Sequence, residues 1–437
     1  MVRSPIALMS FNRPQFLGPV IDSIKAQPAD ELLHREVHLF QDGAVNRYSR
    51  MRYANGDDIA RSIALFRAAF PTGTLHVSDD NIGICENFRR AETYFFVERR
   101  FPCAWFFEDD LVLSPAYFKM LSRLEDYANT VGHIAYFSAY GDYYENAETV
   151  ALRGRELTTL DHHWGFGLIA RHWSAMQPEL EAFYRIVVGN DYARRDHRAI
   201  FGLYEPLEIA PRASSQDAAK AIACSRLALW RCNSVQPFAR YIGSTGLHMT
   251  PEAFNEIGFS KVSVASEPQA ELNLPGPAEV RERVLQNREL FQLIRRTEFE
   301  SLVAALPARE LNPMRRCTRE DVAAAYDLLL RRDVEDESVF TAHVDHRPVW
   351  LLVAGIRSST EFMQLVDSTA PQFTFIDVGK RPPCTTAEIS AAYRLLMHRE
   401  PEPAVLKDHV AYTPKDALIE GLLQSSELMQ MDERMVP

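Results

Sequence analysis

The stretch Trp105–Pro115, WFFEDDLVLSP, places three adjacent carboxylates, Glu108, Asp109 and Asp110, between two apolar runs. Neighbouring negative charges repel, and carboxylates pinned between buried segments are kept from the water that would screen them. A solvated turn is the ordinary fate of a charge run. Here, however, the aromatics before it read as a buried strand, LVL is apolar again, and Pro115 opens the helical pattern PAYFKMLSRLEDY. The cluster therefore stands at the carboxyl end of a strand and needs a counterion. A hard divalent cation, Mn²⁺ or Mg²⁺, sharing its coordination with a substrate phosphate, meets that need.

Upstream, short apolar runs alternate with helical patterns. PIALMSF, EVHLFQDG, TLHVS and CAWFF read as strands, and HIAYFSA as one more; PQFLGPVIDSIKAQ and residues 84–98 read as helices between them. This rhythm predicts an α/β fold with a mixed, mostly parallel, Rossmann-like sheet, whose ligands bind beyond the carboxyl ends of the strands. Asp42, Asp80 and the acidic triplet all fall at such ends.

The chain of 437 residues is too long for one ordinary core. The expected division is a catalytic domain over 1–262, a helical linker or brace over 263–312, and an all-α region over 313–437. That last region carries an internal repeat: AAAYDLLLRR (Ala323–Arg332) matches SAAYRLLMHR (Ser390–Arg399), and SSTEFMQ (Ser358–Gln364) matches QSSELMQ (Gln424–Gln430). Each copy reads as a small helical unit for packing, for docking a partner or for self-association. A net charge of −11 excludes a general nucleic-acid binder. Six scattered cysteines without a C-x-x-C pair fit reduced thiols. The apolar run at the N-terminus is too short for a secretory signal, and no stretch reaches the roughly 18 apolar residues of a membrane span. These features predict a soluble cytoplasmic protein.

PIALMSFNRP, VHLFQDG, FFEDDLVLSPAYF and HHWGFGLIARHW, in this order, resemble the nucleotide-sugar glycosyltransferases of the GT-A fold. The likeness is to Golgi N-acetylglucosaminyltransferases and bacterial family-two relatives, and it covers residues 4–260. The C-terminal region resembles a helical module of undefined role appended to bacterial glycosyltransferases. The resemblance implies a UDP-sugar donor, an N-acetylhexosamine among the candidates, and a glycan, lipid-linked or protein acceptor. A lipid-linked acceptor would be reached by peripheral association at the inner face of a membrane. It further implies that Asp110 ligates the metal, while Glu108 and Asp109 contact the donor and the metal's water. Phe11, Asn12, Arg13 and Asp42 correspond to nucleotide-binding positions, and Asn81, Gly83 and Asn87 to the segment along the ribose and diphosphate.

In HHWGFG, Trp164 offers a flat face for a sugar, and Gly165 and Gly167, flanking Phe166, allow close backbone approach; a glycine-bearing strand is the plainer reading. His162 and His163 lack further ligands at metal spacing. Asp217 opens a helix, where a carboxylate is favoured by the helix dipole alone; by resemblance it is the catalytic base, although Gln216 stands where the family has Glu. Asp191, in GNDYARR, is the alternative base. His248, in YIGSTGLHMTPE, corresponds to a second metal ligand. The implied reaction is an inverting single displacement: the metal neutralises the departing diphosphate and the base deprotonates the acceptor hydroxyl. A non-catalytic sugar-nucleotide-binding or assembly module is the other reading.

Overall fold

The computed structural model describes residues 3–143, 147–246, 249–268, 271–369 and 383–436. Ten strands are present among the described residues: β1 Ile6–Ser10, β2 Val37–Gln41, β3 Thr74–Val77, β4 Cys103–Glu108, β5 Leu111–Leu113, β6 Ile134–Ser138, β7 Leu157–Thr159, β8 Gly165–Ile169, β9 Trp230–Ser234 and β10 Ala239–Tyr241. Eight form one sheet in the order β3-β2-β1-β4-β8-β6-β9-β7, and β10 pairs with β5 in a ribbon. The pairs β1–β2, β1–β4, β2–β3 and β6–β9 are parallel, whereas β8 runs against β4 and β6, and β7 against β9. The expected α/β fold with a mixed, mostly parallel sheet is what the chain adopts.

The aromatic run of β4 shows why this strand is central. Phe106 meets Phe88, Phe95 and Phe96 of the segment Gly83–Glu98 on one face. Its neighbours Trp105 and Phe107 meet Phe118, in the helix Tyr117–Val131, on the other. Alternation of side chains along a strand makes WFF serve two helical layers at once, so an unbroken apolar run marks a strand buried on both sides.

The motif GFG is part of this core, which corrects the expectation of a ligand-facing loop. Gly165, Phe166 and Gly167 are buried in β8, and Phe166 stacks on Phe106 at 5.3 Å between centroids. A Cβ on Gly167 would overlap the Phe137 ring, and one on Gly165 would lie 2.5 Å from Leu111 Cδ2. Both glycines make room for the protein's own side chains.

The chain forms two compact units. The first comprises 1–44, 54–188 and 199–304; the second comprises 45–53, 189–198 and 305–437. Helix Pro277–Thr297, expected as a linker, belongs to the first unit, where it buries Val280, Val284 and Ile294.

The second unit is helical and internally duplicated. Thr318 caps helix Arg319–Ala325 in a capping box with Asp321, a π-helical turn follows over Tyr326–Leu330, and Arg331 takes a left-handed conformation. The same series recurs with Thr385, Glu388, the turn Tyr393–Met397 and His398, an offset of 67 residues from Thr318 to Thr385. Helices Val349–Arg357 and Lys415–Leu423 repeat at 66. The single-residue gap read from the sequence therefore falls between the π-helical turns and these helices. Leu328, Leu329, Leu352, Leu395, Leu396 and Leu418 share one buried cluster, so each copy covers the other's apolar face.

Gly167→Ala is expected to destabilise the protein by roughly 1–3 kcal/mol through overpacking against Phe137. The check is the unfolding midpoint in denaturant; an unchanged midpoint would show that Phe137 has room to yield.

Candidate active site

In the order β3-β2-β1-β4, the chain leaves β1 toward β2 on one side, while β4 flanks β1 on the other. The loops after β1 and β4 therefore diverge and open a crevice at the strand ends. Arg13 follows β1 and precedes helix Pro14–Lys25. Its guanidinium forms an ion pair with Asp109 and a second one, 2.8 Å long, from Nη1 to Asp110 Oδ2. Burial works against the charge on Arg13, but the two aspartates outweigh it and raise the pKa of the group. Both carboxylates are almost fully buried, at 3% and 2% exposure. The acidic cluster thus has a counterion within its own chain, a correction to the expectation that only a metal could offset it.

The clamp leaves one oxygen over. Asp110 Oδ1 is buried without a hydrogen-bond partner among the described residues, as are Ser10 Oγ and Gln41 Oε1 at the ends of β1 and β2. Burial raises the pKa of Asp110 to about 6, with Arg13 opposing. The segment after β10 closes over this carboxylate: Ile242 N–H donates to the Asp110 carbonyl at 2.8 Å. A Cβ on Gly243 would lie 2.5 Å from Asp110 Oδ2, so glycine is what lets the backbone pass. Among the described residues no three His, Cys, Asp or Glu side chains gather as a metal cage. A single orphaned carboxylate oxygen beside an open crevice suits instead an ion that brings its remaining oxygens with a diphosphate.

The opposite bank carries Glu108, Asp217 and His163. Ser215 Oγ accepts from Ala218 N–H at 3.2 Å and caps helix Gln216–Arg226, leaving Asp217 in the first turn with its side chain 29% exposed. His163 Nδ1 lies 3.3 Å from Asp217 Oδ1. Burial lowers the pKa of His163, with Asp217 opposing. Burial also works against the charge on Asp217, but His163 and Lys220 hold its pKa down at about 2. Burial raises Glu108 well above the carboxylate range, and the charges of Asp110 and Asp217 add to this. One turn along the same helix, Lys220 Nζ pairs with Glu92 at 2.5 Å, and Trp173 Nε1 donates to the second Glu92 oxygen at 3.0 Å.

Other expected site residues are occupied elsewhere. Asp42 accepts from the backbone N–H groups of Gly43, Ile82 and Gly83 at 2.8–3.0 Å and from Asn81 Nδ2 at 2.9 Å, so both its oxygens pin the loop entering helix Gly83–Thr93. Asn87 is buried, donating to the Phe40 carbonyl and accepting from Arg90. The Phe11 carbonyl accepts from Gln41 Nε2 at 2.6 Å, and Asn12 is half-buried beside Arg13. Trp164 stacks on His162 at 4.3 Å and on Tyr241 at 4.3 Å, nearly parallel to each. Two such rings fit only on opposite faces, so no face is left for a sugar, contrary to expectation.

Asp191 lies in the second unit, where Ser49 and Tyr53 hydroxyls donate to its Oδ2 and Ala193 N–H to its Oδ1. A carboxylate engaged at both oxygens is a structural cap rather than a base. His248 lies outside the described residues. Sequence reasoning did not select Lys220, Tyr241 or Gly243, and set His163 aside; only Gly243, inside a quoted glycine motif, carried a local signal.

No family model matches the chain, and no curated protein matches it. Similar solved structures include S. aureus TarS 1–349, at 10% identity over 97% of this chain and 91% of that one, TM-score 0.34. The galactosyltransferase LgtC in complex with donor and acceptor sugar analogs is 13% identical over 46% and 70%, TM-score 0.25. Glucosyl-3-phosphoglycerate synthase from Mycobacterium tuberculosis, in complex with Mn²⁺, UDP and glucosyl-3-phosphoglycerate, is 14% identical over 67% and 80%, TM-score 0.24. Among the described residues no helix is long and apolar enough to cross a membrane.

Arg13→Met leaves Asp109 and Asp110 buried without their counterion and is expected to destabilise the protein by roughly 3 kcal/mol at pH 8. The Asp110 pKa is already raised in the folded state, and removing Arg13 raises it further. The deficit should therefore shrink as the pH falls through about 6 and the carboxyl group takes up a proton. Unfolding midpoints at pH 5 and pH 8 check this; an equal deficit at both would place the role of Arg13 elsewhere.

Proposed function

We propose that the protein is a metal-dependent glycosyltransferase of the GT-A type. In this reading it moves a sugar from a nucleotide diphosphate donor, a UDP-sugar, to a hydroxyl of a glycan, lipid-linked or protein acceptor. The observation that carries this reading is Asp110 at the sheet's switch point, one oxygen held by Arg13 and the other buried and orphaned, with Glu108 sensing the charges of both Asp110 and Asp217. What supports it further is the sequence resemblance over residues 4–260, including the acidic triplet and the motif YIGSTGLHMTPE at Tyr241–Glu252.

The roles follow from the chemistry. When bound, a divalent cation supplies the positive charge that stabilises a departing diphosphate, and Asp110 Oδ1 would hold it, with Glu108 and Asp109 beside it. Arg13 holds Asp109 and Asp110 in place while the donor is absent, so the site need not reorganise when the donor arrives. Asp217 is the base: it accepts the proton of the acceptor hydroxyl as that oxygen attacks the anomeric carbon, and attack from the face opposite the diphosphate inverts configuration. A carboxylate with a pKa of about 2 is ionised throughout the neutral range but is a weak base.

UDP release from UDP-sugars in Mn²⁺, compared with EDTA, tests the reading. Asp217→Asn should lose about 10²–10⁴-fold in transfer and retain the Mn²⁺-dependent thermal shift by donor. Asp110→Ala should lose that shift. Donor binding without turnover under any condition would favour a sugar-nucleotide-binding module, and wild-type turnover by Asp217→Asn would require another base.

A further inference from the structure

We propose that His163 is the positioning residue of the base: its Nδ1–H holds one oxygen of Asp217, fixing the carboxylate's orientation toward the acceptor and favouring its ionised form. The inference rests on the proposed transfer reaction and assigns a role to a residue that reaction leaves unused.

The geometry carries it. His163 is 2% exposed, and its ring is held edge-on by Tyr136 at 4.6 Å and by Phe166 at 5.2 Å between centroids, so it has little rotational freedom. Nδ1 faces Asp217 Oδ1 at 3.3 Å, within ion-pair reach though not aligned as a hydrogen bond. Contacts of catalytic pairs are commonly long before substrate binds and tighten in the complex. A neutral imidazole donates from one nitrogen only, so a proton on Nδ1 leaves Nε2 as an acceptor. Nε2 is buried without a hydrogen-bond partner among the described residues.

The charged and titratable groups around the ring come from several elements. Asp217 and Lys220 belong to helix Gln216–Arg226, Arg231 to β9, Tyr136 to β6, His162 to the preceding position, and Glu108 to the end of β4 beside Asp217. Lys220 is neutralised by Glu92, so the donor directed at Asp217 over the shortest distance is the imidazole. Without it, burial acts against ionisation of Asp217. Losing the donor therefore raises the Asp217 pKa and brings an acid-side loss of activity into the measurable range.

Three variants separate orientation from bulk. His163→Asn places an amide N–H near the Nδ1 position, His163→Gln places one near Nε2, and His163→Leu has none. His163→Leu and His163→Gln should lower kcat at least tenfold, within the range a general base itself contributes, with donor KM unchanged. They should also move the acid-side fall in kcat/KM to higher pH than in the wild type and His163→Asn. Equal kcat and equal pH profiles for the Asn and Gln variants would overturn the proposal, and this comparison does not need the Leu variant to fold. Imidazole ¹⁵N NMR, with His163 assigned from the Asn variant, gives a readout independent of activity. A neutral Nδ1–H tautomer that changes in Asp217→Asn is expected; an Nε2–H tautomer overturns the proposal even in an active enzyme. If wild-type protein shows no transfer but the Nδ1–H tautomer is present, the transfer reading fails while the pairing stands.

Discussion

The clamp of Arg13 on Asp109 and Asp110 is the constraint from which the rest of the first unit can be understood. It joins the residue after β1 to the residues after β4, the two strands between which the sheet reverses its order. Buried like charges would otherwise force either protonation or a rearranged loop. A guanidinium bridges them, and one buried Asp110 oxygen is left without a hydrogen-bond partner among the described residues. Gly243 and the carbonyl contact from Ile242 then bring the segment after β10 against the same carboxylate, closing the far side.

Much of this was legible in the sequence because hydrophobic pattern reports directly on burial. β1, β2, β4 and β6 each coincide with a buried apolar run, whereas the edge strand β3 is largely exposed, and the acidic triplet marks the end of the strand that both faces of the sheet bury. The duplication in the second unit was legible too, because cap, apolar face and turn recur together. The 67-residue offset is repeated by the capping threonines and by the left-handed residues Arg331 and His398.

What was not legible depended on distance rather than residue type. A glycine that accommodates a ligand and one that accommodates Phe137 look alike in sequence, and Gly167 is the second kind. Trp164 reads as a stacking platform until His162 and Tyr241 are found on its two faces. Asp191 and Asp217 both sit near helical turns. Only the fold shows that the first is engaged by Ser49 and Tyr53, whereas the second keeps an exposed edge beside a buried histidine. Arg13 was expected to meet the nucleotide, and its pairing with Asp109, 96 positions away, and its neighbour Asp110 could not be read from local pattern.

The account turns on whether the orphaned oxygen of Asp110 receives a cation together with a diphosphate. Anomalous diffraction at the manganese edge, from crystals grown with MnCl₂ and UDP, measures this directly. The account predicts one strong peak at bonding distance from Asp110 Oδ1, bridged to both phosphates of UDP. UDP bound in the crevice with no manganese at Asp110, or manganese bound only elsewhere on the protein, would contradict it.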